Sequence, residues 1–142
     1  MMLSKHFHLS EFTTSQTAAR RRIDNTPSRA ITGNLERTAA VLEQVRTLLG
    51  GKPILISSGY RSPALNRAIG GSRTSAHMRG EAGDFTCPGF GTPLEICRAL
   101  ARSDIRFDQL IEEGTWVHLG IGGHWRREVL TWDGEKYKKG LR

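Results

Sequence analysis

The apolar positions change their period along the chain. From Ser28 to Leu49, the residues Ile31, Leu35, Ala39, Leu42, Val45 and Leu49 recur at intervals of three and four, which is the stripe of an amphipathic helix. Gly50-Gly51 closes that helix. Upstream, Ser10-Glu11-Phe12 and Ser15-Gln16-Thr17-Ala18-Ala19-Arg20 predict two short helical turns, each opened by a capping serine. Thr26-Pro27 ends that stretch, because proline holds its predecessor in extended backbone. The apolar run Ile54-Leu55-Ile56 within Pro53 to Ser58 predicts a buried strand. Ser62-Pro63 opens a further short helix ended by Gly70-Gly71, with proline at its first position. Thr92-Pro93-Leu94-Glu95 is a capping box and starts a helix carrying Ile96 and Leu100. Phe107 to Ile111 and Thr115 to Leu119 predict paired strands around a Glu-Glu-Gly turn. Val129 to Trp132, followed by Asp133-Gly134, predicts a hairpin with a type I′ turn.

Helices thus lie early and antiparallel strands late, which is an α+β arrangement. A chain of 142 residues fits one domain over residues 1–142, with a basic tail at 133–142. No apolar run reaches the roughly 18 residues that span a bilayer. The first residues, Met1-Met2-Leu3-Ser4-Lys5-His6, lack the apolar stretch of a secretory signal, so the expectation is synthesis in the cytoplasm without export. Cys87 and Cys97 are too few for a disulfide scaffold and read as free thiols. Lys and Arg number 21 against 14 Asp and Glu, a net charge of +7 that favours an anionic partner: nucleic acid, a membrane face or an acidic wall polymer. Charge does not choose among them, but no signature of a specific nucleic-acid binder is present.

The chemistry concentrates in Ser75-Ala76-His77-Met78-Arg79-Gly80-Glu81-Ala82-Gly83-Asp84 and in Trp116-Val117-His118. Two imidazoles and a carboxylate are a zinc donor set that leaves a fourth position open. His77 and Asp84 are seven positions apart, too far for one helix face. They converge if His77 ends a loop, Gly80 makes a sharp return and Asp84 sits on the strand Gly83 to Thr86. His118 would then come from a neighbouring strand. His6-Phe7-His8, His124 and the basic runs read as solvated surface, and Trp116 and Trp132 as core.

The order Ser57-Ser58-Gly59-Tyr60-Arg61-Ser62-Pro63, Asn66, Ser75-x-His77-x-x-Gly80-x-Ala82-x-Asp84 and Trp116-x-His118 resembles the M15 family of zinc D-Ala-D-Ala peptidases. Within the family it is most similar to the branch common in phage endolysins and bacterial wall enzymes. Leu9-Ser10-Glu11-Phe12, Ile23-Asp24-Asn25-Thr26-Pro27 and Phe107-Asp108-Gln109-Leu110-Ile111 extend the resemblance over roughly residues 3 to 132. It implies a Hedgehog/DD-peptidase-like fold, with N-terminal helices packed on a small antiparallel sheet. It also implies hydrolysis of peptide bonds next to D-amino acids, or of the L-Ala–D-Glu bond, in peptidoglycan stems. One Zn2+ per chain would be held by His77, Asp84 and His118. Arg61 matches the arginine that engages a substrate carboxylate or carbonyl, and Ser75 the polar residue lining the same pocket.

The sequence departs from the family at the general base. Several members carry an acid three residues before the second zinc histidine, and that position here is Thr115. Glu113 takes its place by similarity to Glu-Gly-x-Trp-Val-His, and Glu112 is the alternative. Counting back in twos from His118 favours Glu112, and a turn or bulge at Gly114 would reset that count. The expectation is a monomeric phage lysin acting on the wall, in the periplasm after holin release, with electrostatic contact to an anionic envelope. The alternative is a catalytically silent zinc module that binds cell wall or a phage structure.

Overall fold

A computed structural model describes residues 1–142. Five helices and six strands follow in the order α1 (Leu9–Thr13), α2 (Gln16–Arg21), α3 (Arg29–Leu48), β1 (Leu55–Ser58), α4 (Pro63–Ala68), β2 (Ala82–Thr86), α5 (Pro93–Arg102), β3 (Gln109–Glu112), β4 (Val117–Gly120), β5 (Glu128–Trp132) and β6 (Tyr137–Lys139). The α+β class holds. Ser15, Ser28, Ser62 and Thr92 each cap their helix with a side-chain oxygen, and Thr92 with Glu95 forms the expected capping box. At α1 the cap is not a serine. The His8 imidazole accepts the Ser10 N–H while Glu11 reaches back to the His8 N–H at 2.7 Å, because a ring nitrogen with a free lone pair serves as well as a hydroxyl.

The strands form one sheet in the order β1-β2-β4-β3-β5-β6. Every pairing is antiparallel except β3 with β5, which corrects the expected all-antiparallel sheet. Gly120, the last residue of β4, lies beside Gln109 at the start of β3, and Glu128 lies on the other side of Gln109. The connecting residues 121–127 therefore only step across the end of β3 to begin β5 in the same direction. Strand periodicity carries no information about which flank of β3 is taken.

Two further expectations change. The strand β1 is an edge, with Leu55 and Ser57 exposed, and only the preceding Ile54 is fully buried. The β5–β6 turn is not type I′, since Asp133 keeps a negative φ. Gly134 (φ +100°) and Glu135 form the loop, and the Asp133 carboxylate accepts the N–H groups of Glu135 and Lys136, each at 2.8 Å.

One face of the sheet carries Phe85, Leu110, Val117 and Leu119 into a core shared with Leu35, Leu42 and Val45 of α3 and Ile96 and Leu100 of α5. Burial of each such side chain stabilises the fold by about 1.5–3 kcal/mol. Cys87 and Cys97 are free and buried in the same core. The other face is left for the site. Ser58, Asp84, His118, Ile111, Leu130 and Lys139 form a single row across all six strands by register, and cross-strand partners share a face.

Candidate metal centre

Asp84 and His118 are direct register partners on β2 and β4, so their side chains rise together from the open face. His77 arrives from a tight 3-10 turn, Ala76–Arg79, whose exit residue Gly80 sits at φ +72° and swings the chain into β2. A Cβ at Gly80 would lie 3.0 Å from the Ile31 carbonyl, so both the space and the conformation call for glycine. The seven-residue separation of His77 and Asp84 is thus bridged as the sequence predicted.

The ligating atoms of His77, Asp84 and His118 all lie within 4.8 Å of one another. His77 Nε2 is 3.2 Å and His118 Nδ1 2.9 Å from the same Asp84 Oδ1, and the two rings meet edge-on at 5.2 Å. His77 is 2% exposed, and burial holds its pKa below the ordinary histidine value, so the ring is neutral. Its Nδ1–H donates to the Gly59 carbonyl at 2.7 Å. That leaves the Nε2 lone pair facing a carboxylate oxygen, two acceptors in contact. A cation between them satisfies both, and the Gly59 carbonyl fixes the tautomer in the manner of an outer-shell partner of a metal-bound imidazole. The Asp84 carboxyl is held far below the usual carboxylate range, against its burial, by His77 and His118. The donor set fits zinc.

The three donors stand on the floor of a cleft of about 550 Å³ that is also lined by Arg61, Ser75, Gln109, Ile111, Glu113, Trp116, Arg126 and Tyr137. Arg61 follows β1, and its backbone N–H donates to the His77 carbonyl at 3.1 Å. Its guanidinium reaches Ser75 Oγ at 3.4 Å, while its buried Nε has no hydrogen-bond partner. A half-buried guanidinium with a spare N–H and no ion-pair partner can receive an anion or a carbonyl in the cleft.

The two glutamates separate completely. The pairing of Ile111 with His118 makes Glu113 and Trp116 the next pair on the same face, and the Glu113 N–H closes the turn onto the Trp116 carbonyl at 3.0 Å. Glu113 therefore enters the cleft, where burial raises its pKa above the ordinary glutamate value, with Asp84 adding to that shift and His118 opposing it. Glu112 pairs with Val117 on the helix side of the sheet. It is 4% exposed there and accepts from the Arg142 guanidinium at 3.1 Å. Counting in twos from His118 fails because it runs through turn residues, with Gly114 at φ +95°.

Of the other histidines, His6 is bound to Glu43 at 2.7 Å and His8 caps α1. Neither they nor His124 belongs to the donor group. Trp116, expected in the core, is 37% exposed at the cleft. Gln109, Arg126 and Tyr137, to which the sequence assigns no place in the site, also line the cleft, Tyr137 from a run expected to be solvated surface. Gln109 and Tyr137 belong to the open face of the sheet, a face that only the full strand order defines.

Two imidazoles on a shared carboxylate, with an acid beside them and a guanidinium across the cleft, define a site of the zinc metallopeptidase class. Residues 5–120 match the family profile described as Peptidase M15, and the chain belongs to that family. A zinc D-Ala-D-Ala carboxypeptidase of Streptomyces albus G is 42% identical to it over 91 residues, 59% of this chain. The chain spans about a third (34%) of the length of that curated relative.

Proposed function

We propose that this chain hydrolyses a peptide bond in the stem peptides of peptidoglycan, at a D-Ala-D-Ala terminus or at an internal bond flanked by a D-amino acid. The observation that carries this reading is one cleft holding the His77–Asp84–His118 donors, the Glu113 carboxylate and the Arg61 guanidinium, whose Nε has no partner, together. His77 through Nε2, Asp84 and His118 through Nδ1 would hold the zinc. Zinc in this set would supply a Lewis acid that polarises a carbonyl and acidifies water. Arg61, steadied by Ser75, receives a carboxylate of the stem or the developing oxyanion. Glu113 takes the proton of the attacking water and returns it to the leaving amine. Its raised pKa suits both halves of that exchange.

The resemblance to the phage branch of the family supports a lysin or virion-associated enzyme that acts on the wall, and the net charge of +7 supports attraction to an anionic envelope. Mass spectrometry of purified peptidoglycan digested by the zinc-loaded protein tests the activity. Loss of a terminal D-Ala identifies a carboxypeptidase, and separation of stems at an internal bond identifies an endopeptidase. An unchanged fragment pattern overturns the reading and leaves a silent wall-binding module, against which Glu113 and Arg61 already argue.

A further inference from the structure

The β5–β6 hairpin forms the wall of the cleft next to Glu113, and it lies beyond residues 5–120 that the family profile covers. Tyr137, the first residue of β6, lines the cleft and is 52% exposed. Its ring lies against Trp132, its register partner on β5, with centroids 4.7 Å apart at 51°. The hairpin beneath is fastened by the Asp133–Lys138 ion pair at 3.2 Å and by Thr131 Oγ1 donating to the Gly140 carbonyl at 2.7 Å. From this braced position the Tyr137 hydroxyl points at Glu113 Oε1, 3.4 Å away. It is the one side-chain hydrogen bond that the Glu113 carboxylate makes.

We propose that Tyr137 is a positioning residue for Glu113, its O–H donating to Oε1 so that the carboxylate is held toward the metal donors rather than free to rotate into solvent. The proposal rests on the reading of Glu113 as general base. Glu113 sits at the mouth of a four-residue turn, and apart from Tyr137 only its backbone is anchored. A glutamate carboxylate with three rotatable bonds and no partner is poorly aimed, and an error of about 1 Å in a catalytic group costs up to roughly 100-fold in rate. A contact of 3.4 Å is long for an O–H···O bond, and catalytic contacts of this kind commonly tighten when substrate fills the site. Burial, followed by the Glu113 carboxylate, keeps the phenol above its ordinary pKa, so it remains a donor at neutral pH.

The test is steady-state hydrolysis of a soluble stem peptide by the zinc-loaded full chain, as wild type, Tyr137→Phe, Glu113→Gln and the double variant, each with its zinc content and melting temperature. Phenylalanine keeps the ring on Trp132 and removes only the hydroxyl. The expected result is a kcat lowered by roughly 10- to 100-fold, with KM, zinc and melting temperature unchanged. In the Glu113→Gln background the hydroxyl should no longer matter, so the double variant should be no slower than Glu113→Gln alone. A wild-type kcat in Tyr137→Phe, with Glu113→Gln inactive, overturns the role of Tyr137 and leaves the base intact. Fully additive losses in the double variant also overturn it. An active Glu113→Gln overturns the base, and this proposal with it.

Discussion

His77 titrates as a buried imidazole whose folded pKa lies below its value of about 6.5 in an unfolded chain. Its contribution to stability is complete above about pH 6.5 and is lost as the pH falls, because the unfolded chain takes up the proton first. Asp84 acts in the same direction lower down: its folded pKa is depressed, so its contribution is present above about pH 3.9 and lost with further acidification. Metal-free protein should therefore melt at progressively lower temperature from pH 7.5 to pH 5, and His77→Gln should flatten that dependence. A melting temperature that is level or rises over this range in the metal-free protein would contradict the neutral, lone-pair assignment of Nε2. Replacement of His77, Asp84 or His118 by alanine should each remove zinc from the purified protein, whereas His124→Ala should retain it. The neighbouring glutamates should divide activity from stability. Glu113→Gln should keep fold and zinc yet lose about 10²–10⁴ in rate. Glu112→Gln, on the helix side against Arg142, should keep its rate and lose about 1–3 kcal/mol of stability, the cost of an impaired buried partner.

The loop between β1 and α4 couples the elements of the site through Gly59. Its carbonyl takes the His77 Nδ1–H, and a Cβ on it would stand 2.6 Å from the Phe12 Cα and 2.7 Å from the Phe12 carbonyl oxygen. Backbone atoms of a helix packed in the core do not yield as a flexible side chain would. Gly59→Ala should therefore push α1 and β1 apart, lower the melting temperature, and weaken zinc binding at a distance from every ligand. Unchanged affinity in a metal titration would show that the Gly59 carbonyl does not govern the His77 ring. At this scale the sequence is legible wherever the cause is local. The caps of α2, α3, α4 and α5 and the stripe of α3 follow from residues within a turn of each other. The donors His77, Asp84 and His118 were legible through their motif, and the turn at Gly80 together with the β2–β4 pairing makes them converge. What stayed hidden depends on pairing. The register sum that sets Ile111 against His118 is odd, so parity changes between β3 and β4, and no count along one strand distinguishes Glu112 from Glu113. The parallel placement of β5, and with it the approach of Tyr137 to the site, depends on a loop passing the end of β3.

Over the whole molecule, the excess of cations is not gathered at the zinc donors. Arg20, Arg21 and Arg22 end α2, while Lys136, Lys138 and Lys139 ride on the β5–β6 hairpin beside the cleft, all of them exposed. Only Lys138 among these six is engaged in an ion pair, with Asp133. A net charge of +7 on a small domain produces a field felt over a distance set by salt, about 30 Å at 0.01 M and 8 Å at 0.15 M. On the proposed function, a soluble stem peptide would meet Arg61 inside the cleft at short range, where screening acts little. A cell wall bearing phosphate or carboxylate polymers presents many charges at once, and its encounter with the basic faces is a long-range event. The two substrates should therefore respond differently to ionic strength. Raising salt from 0.01 to 0.3 M should slow hydrolysis of intact walls several-fold while leaving kcat/KM on the soluble peptide nearly constant. Replacing Lys136 and Lys139 by glutamine should imitate high salt on walls and change nothing on the peptide. Both residues are exposed on β6 or its turn, clear of the zinc donors, so the variant should keep its metal and fold. Equal salt dependence on both substrates would place the charge effect at Arg61 rather than on the surface. No salt dependence on either would remove the anionic envelope from the list of partners.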